Sequence, residues 1–246
     1  MCGRAKLSSP PDDLRELFGL DQTPELEPRY NMAPTQPIPI VRERRPPDDA
    51  PGRGERRIHL VRWGLVPPNA PDLKAGARMI NARVESLLSR GIFRDSLVRR
   101  RCLVAVDGYY EWLAEGPRSD RRSADPSRSD RKTAKRPFLV RMPDGKPFAL
   151  AGLWDRWRGG AAGGAVDTCT IITTDSVPPV DAIHDRMPIV LPHEAWDEWL
   201  DPKVRDTTRL LVLLASPVRD VVLQEVGTRV NSAANDDPEC AAPVSA

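Results

Sequence analysis

Residues 101–113 read RCLVAVDGYYEWL, and this run sets the fold class. Two short apolar stretches flank Asp107-Gly108, a turn dipeptide, so the run predicts a pair of strands folded back at that point. The same grammar recurs on either side. QPIPIVRER (36–44) and RIHLVRWGL (57–65) are strand-like runs joined by the polar Pro/Gly stretch RRPPDDAPGRGE, which predicts a hairpin with a long tip. Residues 137–153 and 166–174 supply three more strands, and about 219–226 a last one. Helical patterning is sparse. SPPDDLRELFGL (9–20) places Leu14, Leu17 and Phe18 at i, i+3 and i+4 behind Ser9 as cap. Residues 92–100 form a second short helix, and 193–214 carry two more with Trp196, Trp199 and Leu200 on one face.

Composition narrows the class. The chain has 246 residues, 40 % hydrophobic and 29 % charged, as expected of one compact globular domain with insertions. Its 26 prolines are about twice the usual ~5 %, which favours short strands and structured loops over a helical bundle. No apolar run of about 18 residues is present, which excludes a transmembrane helix, and with MCGRAKLSSPPDD at the start no signal peptide is expected. Basic and acidic residues number 37 and 35, a net charge of +2, so any nucleic-acid binding must come from a local patch. Lysine is confined to positions 6, 74, 132, 135, 146 and 203; the arginine bias suits phosphate recognition or reflects codon usage. Cys2, Cys102, Cys169 and Cys240 show no zinc spacing, and a disulfide scaffold is not expected. No metal or cofactor is expected, and a reducing cytoplasm is the expected compartment.

Residues 115–136, EGPRSDRRSADPSRSDRKTAKR, hold no aliphatic side chain larger than alanine and are expected to be a disordered basic insertion. A solvated loop is the plainer reading, a DNA-attracting arm the sharper one. Residues 233–246 are expected to be a flexible polar tail.

Cys2 carries the first unusual chemistry. Removal of Met1 would expose a free amine and a thiol on adjacent carbons. An α-amine, with a pKa of about 7.7–8.0, is substantially neutral where lysine is not. It can condense with an aldehyde, and the thiol can then close a five-membered thiazolidine ring. On position alone, Cys2 reads equally as a small packed residue.

The motifs around it decide between those readings. They are Met1-Cys2-Gly3-Arg4, Tyr30-Asn31-Met32-Ala33-Pro34-Thr35, Arg62-Trp63-Gly64-Leu65-Val66-Pro67 and Asn81-Ala82-Arg83-Val84-Glu85. Then follow Asp107-Gly108-Tyr109-Tyr110-Glu111-Trp112, Ala151-Gly152-Leu153-Trp154, Ile171-Ile172-Thr173-Thr174, His184-Asp185-Arg186-Met187-Pro188 and Val230-Asn231-Ser232. In this order the set resembles the SOS-response-associated peptidase (SRAP) family, the abasic-site processing proteins, over residues 1–232. The resemblance implies a single α+β domain built on a barrel-like, mostly antiparallel sheet with flanking short helices. It implies binding of abasic sites in single-stranded DNA, with a single-strand/duplex junction as a candidate substrate. It further implies a covalent link through Cys2 after Met1 is removed, an autopeptidase step and lyase-type activity, and a monomer.

Carried over by motif, the resemblance makes Cys2 the nucleophile and Glu111 the carboxylate beside the N-terminal amine. His184 becomes the acid that protonates the sugar oxygen, and Asn81 a hydrogen-bond partner of the deoxyribose. Arg4, Arg83 and Arg186 become the phosphate contacts. Read alone, Glu111 could be a strand-face residue, His184 a structural histidine and each arginine a solvated charge. Trp63 and Trp112 read as core, and His59 and His193 as surface. The family's tryptophan after the Trp-Gly run is replaced by Pro68-Asn69-Ala70, leaving Val66 or Pro67 as the wedge beside a lesion. A cysteine amidohydrolase and a non-catalytic DNA-binding module are the competing classes. The arginine set argues against the first, and the aminothiol against the second.

Overall fold

The computed structural model describes residues 2–44, 54–114, 135–159 and 164–244. Its strands in chain order are β1 (Ala5–Leu7), β2 (Arg29–Met32), β3 (Pro37–Arg44), β4 (Glu55–Trp63), β5 (Asn81–Arg83) and β6 (Arg101–Val106). They continue with β7 (Gly108–Ala114), β8 (Lys135–Arg141), β9 (Phe148–Arg158), β10 (Ala165–Asp175), β11 (Arg186–Pro188) and β12 (Val222–Glu225). The helices are α1 (Pro11–Phe18), α2 (Gly91–Arg99), α3 (Trp196–Leu200) and α4 (Thr207–Ala215). Among the described residues, no helix is long and apolar enough to cross a membrane.

The order β10-β4-β3-β6-β9, closed by pairing of β9 with β10, makes a five-stranded barrel. Closure removes the exposed strand edges. Beside it lies an antiparallel sheet ordered β12-β8-β7-β1-β2. The α+β, barrel-like class that the family resemblance implies is the observed one. The core is continuous through the barrel, with Trp63, Leu65, Phe93, Tyr109 and Trp199 fully enclosed.

One local expectation changes. Residues 101–113 form two strands, but they do not pair with each other. β6 belongs to the barrel and β7 to the second sheet, so Asp107-Gly108 is a corner between layers rather than a hairpin turn. Gly108 is required there because a Cβ would lie 2.7 Å from the Leu139 side chain and 2.8 Å from the Val140 carbonyl oxygen. The carboxylate of Asp107 clamps the N-terminal segment, accepting from Lys6 Nζ (2.9 Å), Ser8 N–H (2.7 Å) and Ser9 Oγ (2.7 Å). Ser9 is thereby taken from its expected capping role, and Pro10 stands at the start of α1 instead.

The β3–β4 hairpin pairs in register from Pro37 with Arg62 to Arg44 with Glu55, as expected; the tip (45–53) lies outside the described residues. The insertion expected at 115–136 also lies outside them, except for Lys135 and Arg136, which open β8. The expected flexible tail is corrected by the packing. Pro238–Ala241 form a 3₁₀ turn, Cys240 is buried, and Asp236 accepts from the N–H groups of Tyr30 (2.6 Å) and Asn31 (2.8 Å). Polar composition suggested solvent, but here the polar groups satisfy the backbone of β2.

Candidate active site

Strand β10 organises the site. Its last residues run between two partners: Ile171, Ile172 and Thr173 pair with Asn81, Ala82 and Arg83 of β5 on one edge, and Thr173–Asp175 pair with Arg186–Pro188 of β11 on the other. Two segments about a hundred residues apart in sequence are thus held within one strand's width of each other. Gly64, just past β4, makes room for the 3₁₀ turn Leu73–Arg78 that leads into β5. Its φ of +123° and the 2.5 Å separation of a Cβ from the Gly76 oxygen admit no side chain, so the two backbones pack directly.

The N-terminus reaches the same place through the second sheet. β1 pairs with β7 at Ala5–Tyr109, and the Tyr110 N–H donates to the Arg4 oxygen at 3.0 Å. Continuing that register runs the chain preceding Arg4 alongside Glu111. The Asn81 Nδ2 then donates to the Cys2 oxygen at 2.8 Å, tying the N-terminal segment to β5. Cys2 is fully enclosed, and burial, followed by the field of Glu111, pushes its thiol well above the ordinary value. The thiol is therefore protonated at neutral pH, its sulfur 4.0 Å from the Arg4 oxygen.

Glu111 is 2 % exposed, and burial lifts its carboxyl to about 7. It lines a cleft of about 450 Å³ together with Gly3, Arg4, Trp112, His184 and Asn231. Its carboxyl can therefore exchange a proton near neutrality, as a general acid–base group must. The Arg186 N–H donates to His184 Nδ1 at 2.9 Å, the arrangement in which a singly protonated ring carries its proton on Nε2. When protonated on both nitrogens, Nδ1 can instead donate to Asp185 Oδ1, 3.0 Å away.

The arginines separate into different roles. Arg4 borders the cleft, donating to the Val230 oxygen at 2.7 Å and Asn31 Oδ1 at 3.3 Å while lying against the Trp112 ring. Arg83 is exposed on β5. Arg186 is not an open phosphate contact: it is nearly buried, and its guanidinium donates to Glu85 (2.8 and 3.0 Å), Asp175 (2.6 Å) and the Thr173 oxygen (2.9 Å). Hydrogen bonding to Glu85 raises its pKa further and fixes it as a strut between β10 and β11. The acids that hold it are remote in sequence, which is why it reads as a free cation in the linear chain.

Several further residues matter that the sequence reading left unassigned. Trp63 is core, as expected, but Trp112 is half-buried, lines the cleft and donates Nε1–H to Asn231 Oδ1 at 2.7 Å. Asn31 is buried and donates Nδ2 to the carbonyls of Val230, Ser232 and Asn235, so the C-terminal segment sets the position of Arg4. Their presence in the quoted motifs was the signal available. Val66 is fully buried and cannot act as a wedge, leaving the half-exposed Pro67. His193 is exposed as expected, whereas His59 is half-buried at the far end of the barrel.

Residues 1–233 match the family described as SOS response associated peptidase (SRAP). The chain is 39 % identical over 244 residues to the abasic site processing protein YoqW of Bacillus subtilis, covering 97 % of this chain and 98 % of the relative. It is 29 % identical to the abasic site processing protein HMCES of Gallus gallus, covering 99 % of this chain and 78 % of that one. Among solved structures it is similar to a protein from Bacteroides thetaiotaomicron (TM-score 0.76, 22 % identity, 99 % and 100 % of the two chains), a likeness of fold. It is also similar to a phage-related protein from Bordetella bronchiseptica (TM-score 0.67, 28 % identity, 92 % and 94 %).

Proposed function

The chain belongs to the SOS response associated peptidase family, and from that premise we propose that it processes abasic sites in single-stranded DNA by linking itself covalently to them through Cys2. The observation that carries this reading is the buried Glu111, tuned to about 7, in the cleft beside which the Cys2 segment runs.

The chemistry begins with hydrolysis of the Met1–Cys2 peptide bond, which frees the Cys2 amine. His184 in its doubly protonated form, with Nδ1–H held by Asp185, gives the Nε2 proton to the deoxyribose ring oxygen as the C1′–O4′ bond breaks, while the C1′ hydroxyl proton passes to water and the aldehyde opens. Glu111 takes a proton from the Cys2 ammonium, and the neutral amine adds to the aldehyde carbon. Loss of one water gives the imine. The Cys2 thiol then adds to the imine carbon, and the thiol proton ends on nitrogen, closing the thiazolidine. A thiol kept protonated by burial suits this order, because the amine must react first and the sulfur second. From the same imine, removal of the sugar C2′ proton would expel the 3′ phosphate, which is the lyase branch. Asn81 holds the Cys2 carbonyl, and Arg4 and Arg83 supply cations for the flanking phosphates without reading sequence.

The test is direct. Wild-type protein mixed with a single-stranded oligonucleotide bearing one abasic site is expected to give a heat-stable adduct. Cys2→Ala is expected to give none while still binding the strand. Equal adduct from Cys2→Ala would overturn the reading, and peptide-bond cleavage without any DNA adduct would favour an amidohydrolase.

A further inference from the structure

At the barrel end remote from Cys2, the mouth is lined by Arg42, Arg44, Arg57, His59, Trp154 and Arg156, around a cavity of about 510 Å³. Asp167 at this end and Thr173 at the catalytic end stand on the same strand, roughly 20 Å apart at about 3.3 Å per residue. The mouth is built rather than incidental. The Arg42 guanidinium carbon lies over the Trp154 ring, 4.3 Å from its centroid, and the side chain donates to Asp167 at 2.8 Å. Arg156 approaches the same carboxylate from the other side at 2.7 Å. Each guanidinium has five N–H donors and uses only one or two on Asp167. Two planar forks are thereby fixed side by side with donors in excess.

The charge balance selects the ligand. Glu43 also borders the cavity, but its carboxylate is committed to the buried Arg56 (3.2 Å) and the Gly54 N–H (3.1 Å). The four lining guanidiniums then face two carboxylates, Glu55 and Asp167, an excess of two positive charges. Burial, with Arg42 next in effect, lowers the pKa of His59, so the imidazole adds hydrogen bonds rather than charge. A phosphate monoester carries about −1.5 to −2 at neutral pH, whereas a backbone diester carries one charge. Mouths of small barrels are concave sites that accept single ligands.

We propose that this mouth is a second binding site, separate from the Cys2 cleft, for a terminal phosphate monoester, supplied by a free nucleoside monophosphate or by the phosphorylated end of a DNA strand. Arg44 and Arg57 are the exposed arms that close on the phosphate, and Arg42 and Arg156 form its preset floor.

Calorimetric titration of the full chain tests this with thymidine monophosphate, inorganic phosphate, thymidine, and a short thymine oligomer with and without a 5′ phosphate. Thymidine monophosphate is expected to bind and thymidine not. The double variant Arg44→Ala/Arg57→Ala is expected to weaken binding by about tenfold or more, since both contacts are charge-assisted. A strand end as source is read from tighter binding of the 5′-phosphorylated oligomer that disappears in the double variant. Both arginines are exposed, and an unchanged melting temperature will show that the variant is folded. The proposal is overturned if no phosphate-bearing probe binds, or if binding survives the double variant but is lost in Arg4→Ala, which would place it in the catalytic cleft.

Discussion

Glu111 and Asp167 are carboxylates near opposite ends of the barrel, and their surroundings drive them in opposite directions. Glu111 is enclosed beside the Cys2 segment, and desolvation raises it to about 7. Asp167 is also partly desolvated, but hydrogen bonds from Arg156 and Arg42 outweigh that cost and hold it below the ordinary value. One is poised to move a proton at neutral pH; the other is a permanent anion that organises cations. The difference shows that two terms sort the acids of this fold: burial makes Glu111 reactive, and paired guanidiniums make Asp167 structural. The arginines obey the converse rule. Arg186 is bound by Glu85 and Asp175 and serves the fold, whereas the exposed Arg83 stays available to a ligand.

Breaking the reactive member of the pair is expected to have the largest effect. Glu111→Gln keeps shape and removes the proton acceptor, so adduct formation should slow by roughly 10²–10⁴-fold in a single-turnover gel assay. Asp167→Asn should leave that rate within about twofold, because it lies roughly 20 Å from the site. A similar loss from both would mean that each acts through the fold. Next in size is the arginine contrast. Arg186→Ala should lower unfolding free energy by about 2 kcal/mol in denaturant titration, through loss of a nearly buried, charge-assisted network. Arg83→Ala should cost almost nothing in stability. It should instead make the salt dependence of single-strand binding shallower by about 0.7 per decade, from a starting slope near −1.4 for two phosphate contacts.

A third prediction follows from the sign of the Glu111 shift. Its folded pKa exceeds the unfolded one, so its contribution is fully present below about 4.5 and is lost as pH rises through about 7. Glu111→Gln should therefore melt at nearly the wild-type temperature at pH 4.5, and above it at pH 8, by an amount equivalent to about 3 kcal/mol. Absence of a pH-dependent gap in calorimetry would contradict the burial argument. The smallest effect concerns Tyr109. Its enclosed hydroxyl has no hydrogen-bond partner among the described residues, so Tyr109→Phe should leave stability unchanged or raise it by up to about 1 kcal/mol. A clear destabilisation would reveal a missing partner.

Much of this architecture was legible in the chain because strands of period two and short amphipathic helices are local signals. The hairpin of β3 and β4 and the helices around Trp196 and Trp199 needed nothing else. What was not legible is non-local. Two strands joined by Asp107-Gly108 look the same whether they pair with each other or part into separate sheets. A polar C-terminal segment looks like a tail unless the buried Asn31 and the N–H groups of β2 are known to need its carbonyls and Asp236. At the site, the motifs pointed to Cys2, Asn81, Glu111 and His184, and the Asn81 hydrogen bond joins the Cys2 segment to the strand beside them. The strut role of Arg186 and the burial of Val66 depend on partners far along the chain, which no spacing rule encodes.

The central claim, that the freed amine and thiol of Cys2 both end on one aldehyde carbon, is tested most directly by intact mass of the purified adduct with an abasic oligonucleotide. The account predicts the mass of oligonucleotide plus protein lacking Met1, less one water, and no reduction of the adduct by borohydride, because the imine has closed. An adduct that retains Met1, or one that borohydride reduces in full, would contradict it.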